Sequence, residues 1–203
     1  GFVTSGDGAQ LKCYSDYSAY LDDRIYLWTL DRTDLTSYRA IVIPDFSNQV
    51  LLTKHARPIN DYLGSGGFLI VFEPNRMNRW LDVVTVPWFE RETENWKWWL
   101  IPGGRLEVYQ PEPKHSMAQA IGLDAMCWHF FGAFRFVDGA VPILNLDNDE
   151  GCIMYDQCLT NGGRLIASTL DPHTHHGRGF MPATTRFLNG FYPWLKSEVA
   201  RRD

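Results

Sequence analysis

The segment from residue 40 to residue 72 constrains the fold more than any other part of the chain. Ala40–Pro44 and Phe68–Phe72 are short and apolar, which is typical of parallel strands covered on both faces. Between them, Val50–Leu63 has apolar side chains at helical spacing and ends at Gly64-Ser65-Gly66-Gly67, a strong helix stop. A strand, a helix and a strand in such a short segment predict a βαβ unit, and hence a sheet with helices on both faces.

Apolar runs elsewhere extend this pattern over the chain. Further strands are predicted at Phe2–Ser5, Ile25–Leu30, Arg105–Tyr109, Phe130–Val137, Val141–Leu146, Cys152–Leu159 and Arg164–Leu170. The last two flank Thr160-Asn161-Gly162-Gly163, which has the residues of a hairpin turn. Thr184–Lys196 predicts a closing helix, which Pro193 is expected to bend or shorten.

The composition limits the number of domains, the partners and the location that are expected for this chain. The chain has 203 residues, 45% of them hydrophobic and 21% charged, which fits a single domain over residues 1–203. Its net charge of -5 argues against nucleic acid or an anionic membrane as the partner, and no apolar run is long enough to span a bilayer. The four cysteines have no metal-site spacing and are expected to be reduced thiols, which favours a cytoplasmic location.

An irregular, Trp-rich insertion at about residues 76–113 interrupts the regular pattern. Within it, Trp88–Trp99 alternates tryptophan with charged residues. Such a half-polar aromatic segment suits a partner surface, a sugar-stacking surface or a homo-oligomer interface.

Two stretches of the chain resemble a known family. Ser37–Asn75, with "SYRAIVIPDFSN…INDYLGSGGFLIVFEPN", and the tail "NGGRLIASTLD…FMPATTRFLNGFYPWL" are similar to the class I glutamine amidotransferase-like superfamily. They are nearest to its non-amidotransferase branch, which includes ThuA-like proteins and the trimerisation-type domains of some β-galactosidases. The resemblance implies an α/β, flavodoxin-like three-layer sandwich, with a mostly parallel central sheet, helices on both faces and a C-terminal hairpin.

The family's nucleophile is missing from this sequence. In its amidotransferases, a cysteine occupies the turn after the strand that corresponds to Phe68–Phe72, whereas this chain continues Glu73-Pro74-Asn75. Glutamine hydrolysis through a thioester is therefore not expected. At the family's later histidine position the chain has Asp171-Pro172-His173, so Glu73 and His173 are the candidate catalytic pair, acting as a general base or holding a metal.

Polar side chains follow three predicted strands, at the strand ends where parallel α/β sheets bind ligands. The candidate ligand-binding residues are Asp45, Ser47, Asn75, Arg76 and Asp171. The alternative is that Asp45 and Ser47 cap the next helix and that Asn75 and Arg76 lie in a solvated loop.

His173, His175 and His176 form the only dense group of metal-ligating residues in the sequence. In an extended segment, His173 and His175 would lie on one side, with Glu73 or Asp45 as a third ligand. The alternative is a polar loop with solvated histidines. No organic cofactor is expected, and a divalent metal is left open.

Three functions are consistent with these residues. The first is a non-catalytic amidotransferase-like module that binds a small molecule or a protein and is related to carbohydrate. The second is a hydrolase or isomerase that acts on a sugar-like substrate through Glu73 and His173. The third is an oligomerisation domain of a larger enzyme that uses Trp88–Trp99 as its interface. The missing nucleophile favours the first, and thus a protein without enzymatic activity.

Overall fold

The fold is described from a computed structural model that covers residues 1–73, 76–84, 100, 102, 106–147 and 150–201. Within these residues, eight strands form one sheet in the order β2-β1-β3-β4-β8-β7-β6-β5. The strands are β1 (Phe2–Thr4), β2 (Arg24–Tyr26), β3 (Ile41–Ile43), β4 (Phe68–Phe72), β5 (Val108–Tyr109), β6 (Ala140–Leu146), β7 (Cys152–Cys158) and β8 (Arg164–Ser168). The α-helices are α1 (Gly8–Asp16), α2 (Gln49–Lys54), α3 (Ala56–Gly64), α4 (Ser116–Ile121), α5 (Pro172–Gly177) and α6 (Pro182–Ala200).

The first half of the sheet is parallel. β1 pairs with β2 and β3, β3 with β4, and β4 with β8, all in the parallel sense. The βαβ unit predicted from residues 40–72 is therefore confirmed. Because β3, β4 and β8 are parallel neighbours, their carboxyl ends lie side by side at one edge of the sheet.

The second half of the sheet is antiparallel, so the sheet is mixed and the expectation of a mostly parallel sheet is wrong. β8 pairs with β7, β7 with β6 and β6 with β5 in the antiparallel sense. For β6, β7 and β8 the cause is the length of the connections, because a short turn can join antiparallel strands whereas parallel neighbours need a longer crossover. The predicted hairpin is confirmed, and Gly162 provides the positive φ of +88° that its turn needs.

The helix predicted over Val50–Leu63 is divided into α2 and α3 at His55. Pro58 explains the division, because it has no N–H for the carbonyl of Lys54 and its ring would clash with that carbonyl in a continuous helix. In α3, Pro58 lies in the first turn, where a proline is tolerated.

Helices cover both faces of the sheet, and each face has its own apolar core. Along β4, Phe68, Ile70 and Phe72 belong to one core, and Leu69 and Val71 belong to the other. The first core also contains buried side chains of α1, α4 and α6, and the second contains those of α2 and α3.

The outcomes of three other predictions can be stated for individual segments of the chain. Phe130–Val137 does not form a strand, although Phe134 makes an isolated antiparallel bridge with Cys152. The Trp88–Trp99 segment and Asn75 lie outside the described residues. None of the helices in the described part of the chain has the length and apolar character that a bilayer-spanning segment requires.

Candidate functional site

A buried carboxylate follows each of three neighbouring strands at the carboxyl edge of the sheet. Asp45 follows β3, Glu73 follows β4 and Asp171 follows β8, and at most 1% of each residue is exposed to solvent. Burying a carboxylate is unfavourable unless donors surround it, so the contacts of each one indicate its role.

Asp45 holds the first turn of α5. Its Oδ1 accepts hydrogen bonds from the backbone N–H of His173 (2.7 Å) and from the ring Nδ1 of the same residue (3.0 Å). Its Oδ2 accepts a hydrogen bond from the backbone N–H of Thr174 (2.9 Å). Burial alone would raise the pKa of Asp45, but these donors outweigh it and keep the pKa below its usual value. Asp45 therefore acts as a distant cap for α5 and not for the helix that follows it in sequence.

His173 is a core residue in this arrangement. It has no solvent exposure, and its ring packs against the rings of Phe72, Phe2 and Tyr192 at centroid distances of 4.8, 5.8 and 6.2 Å. Because the Asp45 carboxylate only accepts hydrogen bonds, Nδ1 carries the proton. Within the described residues, Nε2 has no hydrogen-bond partner.

Glu73 fixes the loop that follows β4. Its Oε2 accepts a hydrogen bond from the backbone N–H of Arg76 (2.7 Å), and its Oε1 accepts one from that of Met77 (3.1 Å). Arg76 has a left-handed φ of +44°, which turns the chain into the short 3₁₀ helix Met77–Arg79. Both predicted residues, Glu73 and Arg76, therefore shape this loop, Arg76 through its backbone.

Ser47 and Asn48 hold the chain at the start of α2. The Ser47 hydroxyl donates to the carbonyl oxygen of Pro44 at 2.8 Å, and the Asn48 side chain accepts from the N–H of Leu51 at 3.0 Å. Asn48 therefore caps α2, whereas Ser47 stabilises the turn before it, so the cap that the alternative interpretation assigned to Ser47 is made by the next residue.

Asp171 is the centre of a cluster with two histidines and a tryptophan. Its Oδ2 lies 2.9 Å from Nδ1 of His175 and 3.2 Å from Nε2 of His129, and its Oδ1 accepts a hydrogen bond from Nε1 of Trp128 at 3.2 Å. The His129 side chain is 5% exposed and the His175 side chain 14%. Burial alone would lower the pKa of His175, but the Asp171 carboxylate outweighs it and raises the pKa above its ordinary value.

Only one of the three histidines in the predicted metal set belongs to this cluster. His176 instead contacts Oγ1 of Thr185 through Nδ1 (2.8 Å) and Asp16 through Nε2 (2.9 Å), and His173 is held by Asp45. The prediction assumed an extended segment, whereas residues 172–177 form α5. In a helix, residues four apart share a face, so Asp171 and His175 lie together while His173 and His176 point elsewhere.

Sequence reasoning missed His129 altogether. It lies in an irregular segment between two buried aromatic residues, Trp128 and Phe130, and its contact with Asp171 spans 42 residues. The one available signal was a histidine at a position where the neighbouring residues are all core aromatics.

Partly exposed aromatic rings surround the Asp171 cluster. Phe131 lies edge-on to the rings of His129 and Phe46, with centroids 5.7 and 5.5 Å apart. Phe180 lies 5.3 Å from the ring of His175. Phe46 is 46% exposed and Phe180 is 55% exposed, so apolar surface faces solvent beside a polar cluster.

Two of the four cysteines have thiols that burial makes harder to ionise. Burial raises the pKa of Cys13 well above its usual value and that of Cys152 to about 12. Cys158 is exposed, but it pairs with Arg164 at the start of β8, the opposite edge of the sheet from Glu73. Cys127 is half-buried and packs against the first core.

A second cluster of charged residues lies at the amino end of β8, at the edge of the sheet opposite to the three buried carboxylates. Arg164 makes hydrogen bonds of 3.0 Å or less to both carboxylate oxygens of Asp156, and one of 2.7 Å to Glu198 of α6. His115, which caps α4, lies 3.1 Å from Asp156. The network therefore ties the β7–β8 hairpin to two helices. A cavity of about 270 Å³ between Tyr38 and the Gly66-Gly67 turn also opens at this edge, away from the three carboxylates.

Comparisons with known proteins add evidence on the fold. No family model and no curated protein matches the chain. Among solved structures, the chain is similar to the "mmIFT52 N-terminal domain", with a TM-score of 0.58 and 12% sequence identity over 96% of each chain. At this identity the similarity shows a shared fold alone.

Proposed function

We propose that this chain is a non-catalytic binding module with the flavodoxin-like, three-layer fold of the class I glutamine amidotransferase-like superfamily. It holds a small molecule or a partner protein at the carboxyl edge of the sheet. The observation that carries the proposal is the pair of hydrogen bonds that the Glu73 carboxylate accepts. The resemblance implies that this residue replaces the family's nucleophile, and both of its carboxylate oxygens accept hydrogen bonds from backbone N–H groups of the following loop.

The state of His173 supports the same proposal over the hydrolase or isomerase alternative. A general base must reach the proton that it removes, directly or through one water molecule. His173 has no solvent exposure, and its Nδ1 is committed to Asp45. The two candidate catalytic residues thus make structural contacts with different partners.

The exposed rings beside Asp171 support a binding role at this edge. Phe46 and Phe180 offer flat apolar surface next to the polar groups of His175 and Asp171. Aromatic faces with a few fixed polar groups are typical of sites for small organic ligands, including sugars.

Ligand screening by thermal shift tests the proposal. The wild-type protein is compared with Phe180→Ala, which removes a ring at the proposed site, and with Trp28→Ala as the matched control. Trp28 is 51% exposed and follows β2, the end strand of the sheet, which three strands separate from β8. A sugar or nucleotide at 100 times its dissociation constant should stabilise the wild type and Trp28→Ala by about 2.7 kcal/mol and Phe180→Ala much less.

A parallel assay measures hydrolysis of glutamine and of sugar esters. No turnover above background is expected from the wild type. Turnover that Glu73→Gln abolishes, in a variant that keeps its folded circular dichroism spectrum, would overturn the proposal and establish the enzymatic alternative.

A further inference from the structure

We propose that His129, Asp171 and His175 form a Zn²⁺ site at the carboxyl edge of the sheet. The three ligand atoms, Nε2 of His129, Oδ2 of Asp171 and Nδ1 of His175, all lie within 4.8 Å of one another. This inference rests on the cluster alone and does not depend on whether the edge also binds an organic ligand.

The spacing of the ligand atoms fits a small tetrahedral ion. Ligand bonds of about 2.0–2.2 Å place neighbouring ligand atoms of a tetrahedral zinc about 3.3–3.6 Å apart. The carboxylate oxygen of Asp171 lies 3.2 Å from the His129 nitrogen and 2.9 Å from the His175 nitrogen. The two histidine nitrogens lie within 4.8 Å of each other. Binding of zinc would bring these nitrogens closer together and move the Asp171 oxygen slightly away from each of them.

The ligand types select among metals. Two imidazoles and one carboxylate are a common ligand set for Zn²⁺, whereas Mg²⁺ and Ca²⁺ prefer oxygen ligands alone. Each histidine binds as a neutral ring, with its proton on the nitrogen that faces away from the metal.

The surroundings of the cluster orient the ligands. Trp128 donates from Nε1 to the second oxygen of Asp171 at 3.2 Å, which leaves Oδ2 turned toward the histidines. Such a contact to a ligand carboxylate is the usual support of a metal site. Trp128 and Asp171 are at most 1% exposed, so this orientation is fixed by packing.

The site also leaves one position open. Three protein ligands leave the fourth corner of a tetrahedron for water or for a ligand atom. The His175 side chain is the most exposed of the three, and it packs against the ring of Phe180. The open corner is therefore expected on the side of the cluster where exposed aromatic rings meet solvent.

The test is a titration of the untagged, metal-stripped protein with Zn²⁺ alone. The variants are made in a Cys158→Ser background, because Cys158 is an exposed thiol that could bind zinc by itself. We expect one ion per chain, with the affinity reduced at least about 100-fold in His175→Ala and about 10–100-fold in Trp128→Phe. His176→Ala is the matched control, since His176 is the next residue of the same helix and lies outside the cluster. It should bind zinc as the parent does.

Substitution with Co²⁺ gives a second measurement, in which a tetrahedral site shows an intense visible spectrum that His175→Ala should lose. If His175→Ala does not fold, Asp171→Asn and Trp128→Phe carry the same comparison. Failure of the parent to bind one ion saturably, or an equal loss of affinity in His176→Ala and His175→Ala, would overturn the proposal. Neither result bears on the organic-ligand screen, so the two proposals fail separately.

Discussion

Removal of the Asp45 carboxylate should be among the most destabilising single changes in this protein. Asp45 is fully buried and accepts three hydrogen bonds from the first turn of α5, at 2.7, 2.9 and 3.0 Å. Asp45→Ala would leave those three donors, two of His173 and one of Thr174, buried without an acceptor.

The magnitude follows from the number and kind of these bonds. A hydrogen bond to a charged group contributes about 1.5–3 kcal/mol, and a buried donor left without an acceptor costs about 1–3 kcal/mol. Because the three bonds share one carboxylate their effects do not add fully, and we expect Asp45→Ala to lower the free energy of unfolding by about 3–5 kcal/mol. Asp45→Asn keeps an oxygen for two donors but turns an NH₂ group toward the third, so about 1–3 kcal/mol is expected.

Urea unfolding at neutral pH measures these differences, provided that the slope of free energy against urea is unchanged. Asp34→Asn is the matched control, because Asp34 also caps a helix, accepting from the N–H of Thr36 at 3.0 Å, but at the surface. Asparagine caps helices as well as aspartate does, so this control should change stability by less than about 0.5 kcal/mol. If Asp45→Asn behaves like Asp34→Asn, or if Asp45→Ala costs less than about 1 kcal/mol, the structural role assigned to Asp45 is refuted.

Two further predictions concern other parts of the fold. Burial alone would raise the pKa of Asp156, but hydrogen bonds from His115 and Arg164 outweigh it and hold the pKa below its ordinary value. The stabilising effect of the carboxylate is therefore present above the pKa of the unfolded chain and is lost as the pH falls through the lower folded-state pKa. Asp156→Asn should cost about 2–3 kcal/mol at pH 7, a difference that urea unfolding at decreasing pH should show shrinking in acid; a pH-independent difference would contradict this. Gly177→Ala should cost about 1–3 kcal/mol in the same assay, because an added Cβ would overlap the backbone of Ala9 in α1. Gly64→Ala, where the Cβ meets nothing, is its control, and equal effects would argue against the close contact of α1 and α5.

The parts of the fold that sequence predicted well are those with local signals. The apolar strand Phe68–Phe72 has the same bounds in the structure, and the turn at Gly162 joins the predicted hairpin. The edge at which Asp45, Glu73 and Asp171 meet followed from the parallel arrangement of their strands. Alternation, apolar runs and turn residues act over a few positions, so a single sequence carries them.

The candidate site was less accessible because its contacts are long-range. His129 reaches Asp171 from a segment without regular structure, and no periodicity places it there. The predicted metal set also failed for a local reason. An extended segment places residues two apart on one side, which grouped His173 with His175, whereas the helix α5 brings Asp171 and His175 together. Pro58, by contrast, was a readable signal for the division between α2 and α3.

The position of β8 has a consequence for synthesis on the ribosome. Among the described residues β8 is the last strand in sequence, yet it lies between β4 and β7, and Phe68 of β4 pairs with Arg164. Until β8 emerges, the nascent chain holds two separate half-sheets, each with an unpaired apolar edge that can associate with other chains. A translation product that stops before Arg164 should therefore aggregate. Insertion of β8 between β4 and β7 joins the two half-sheets into one sheet.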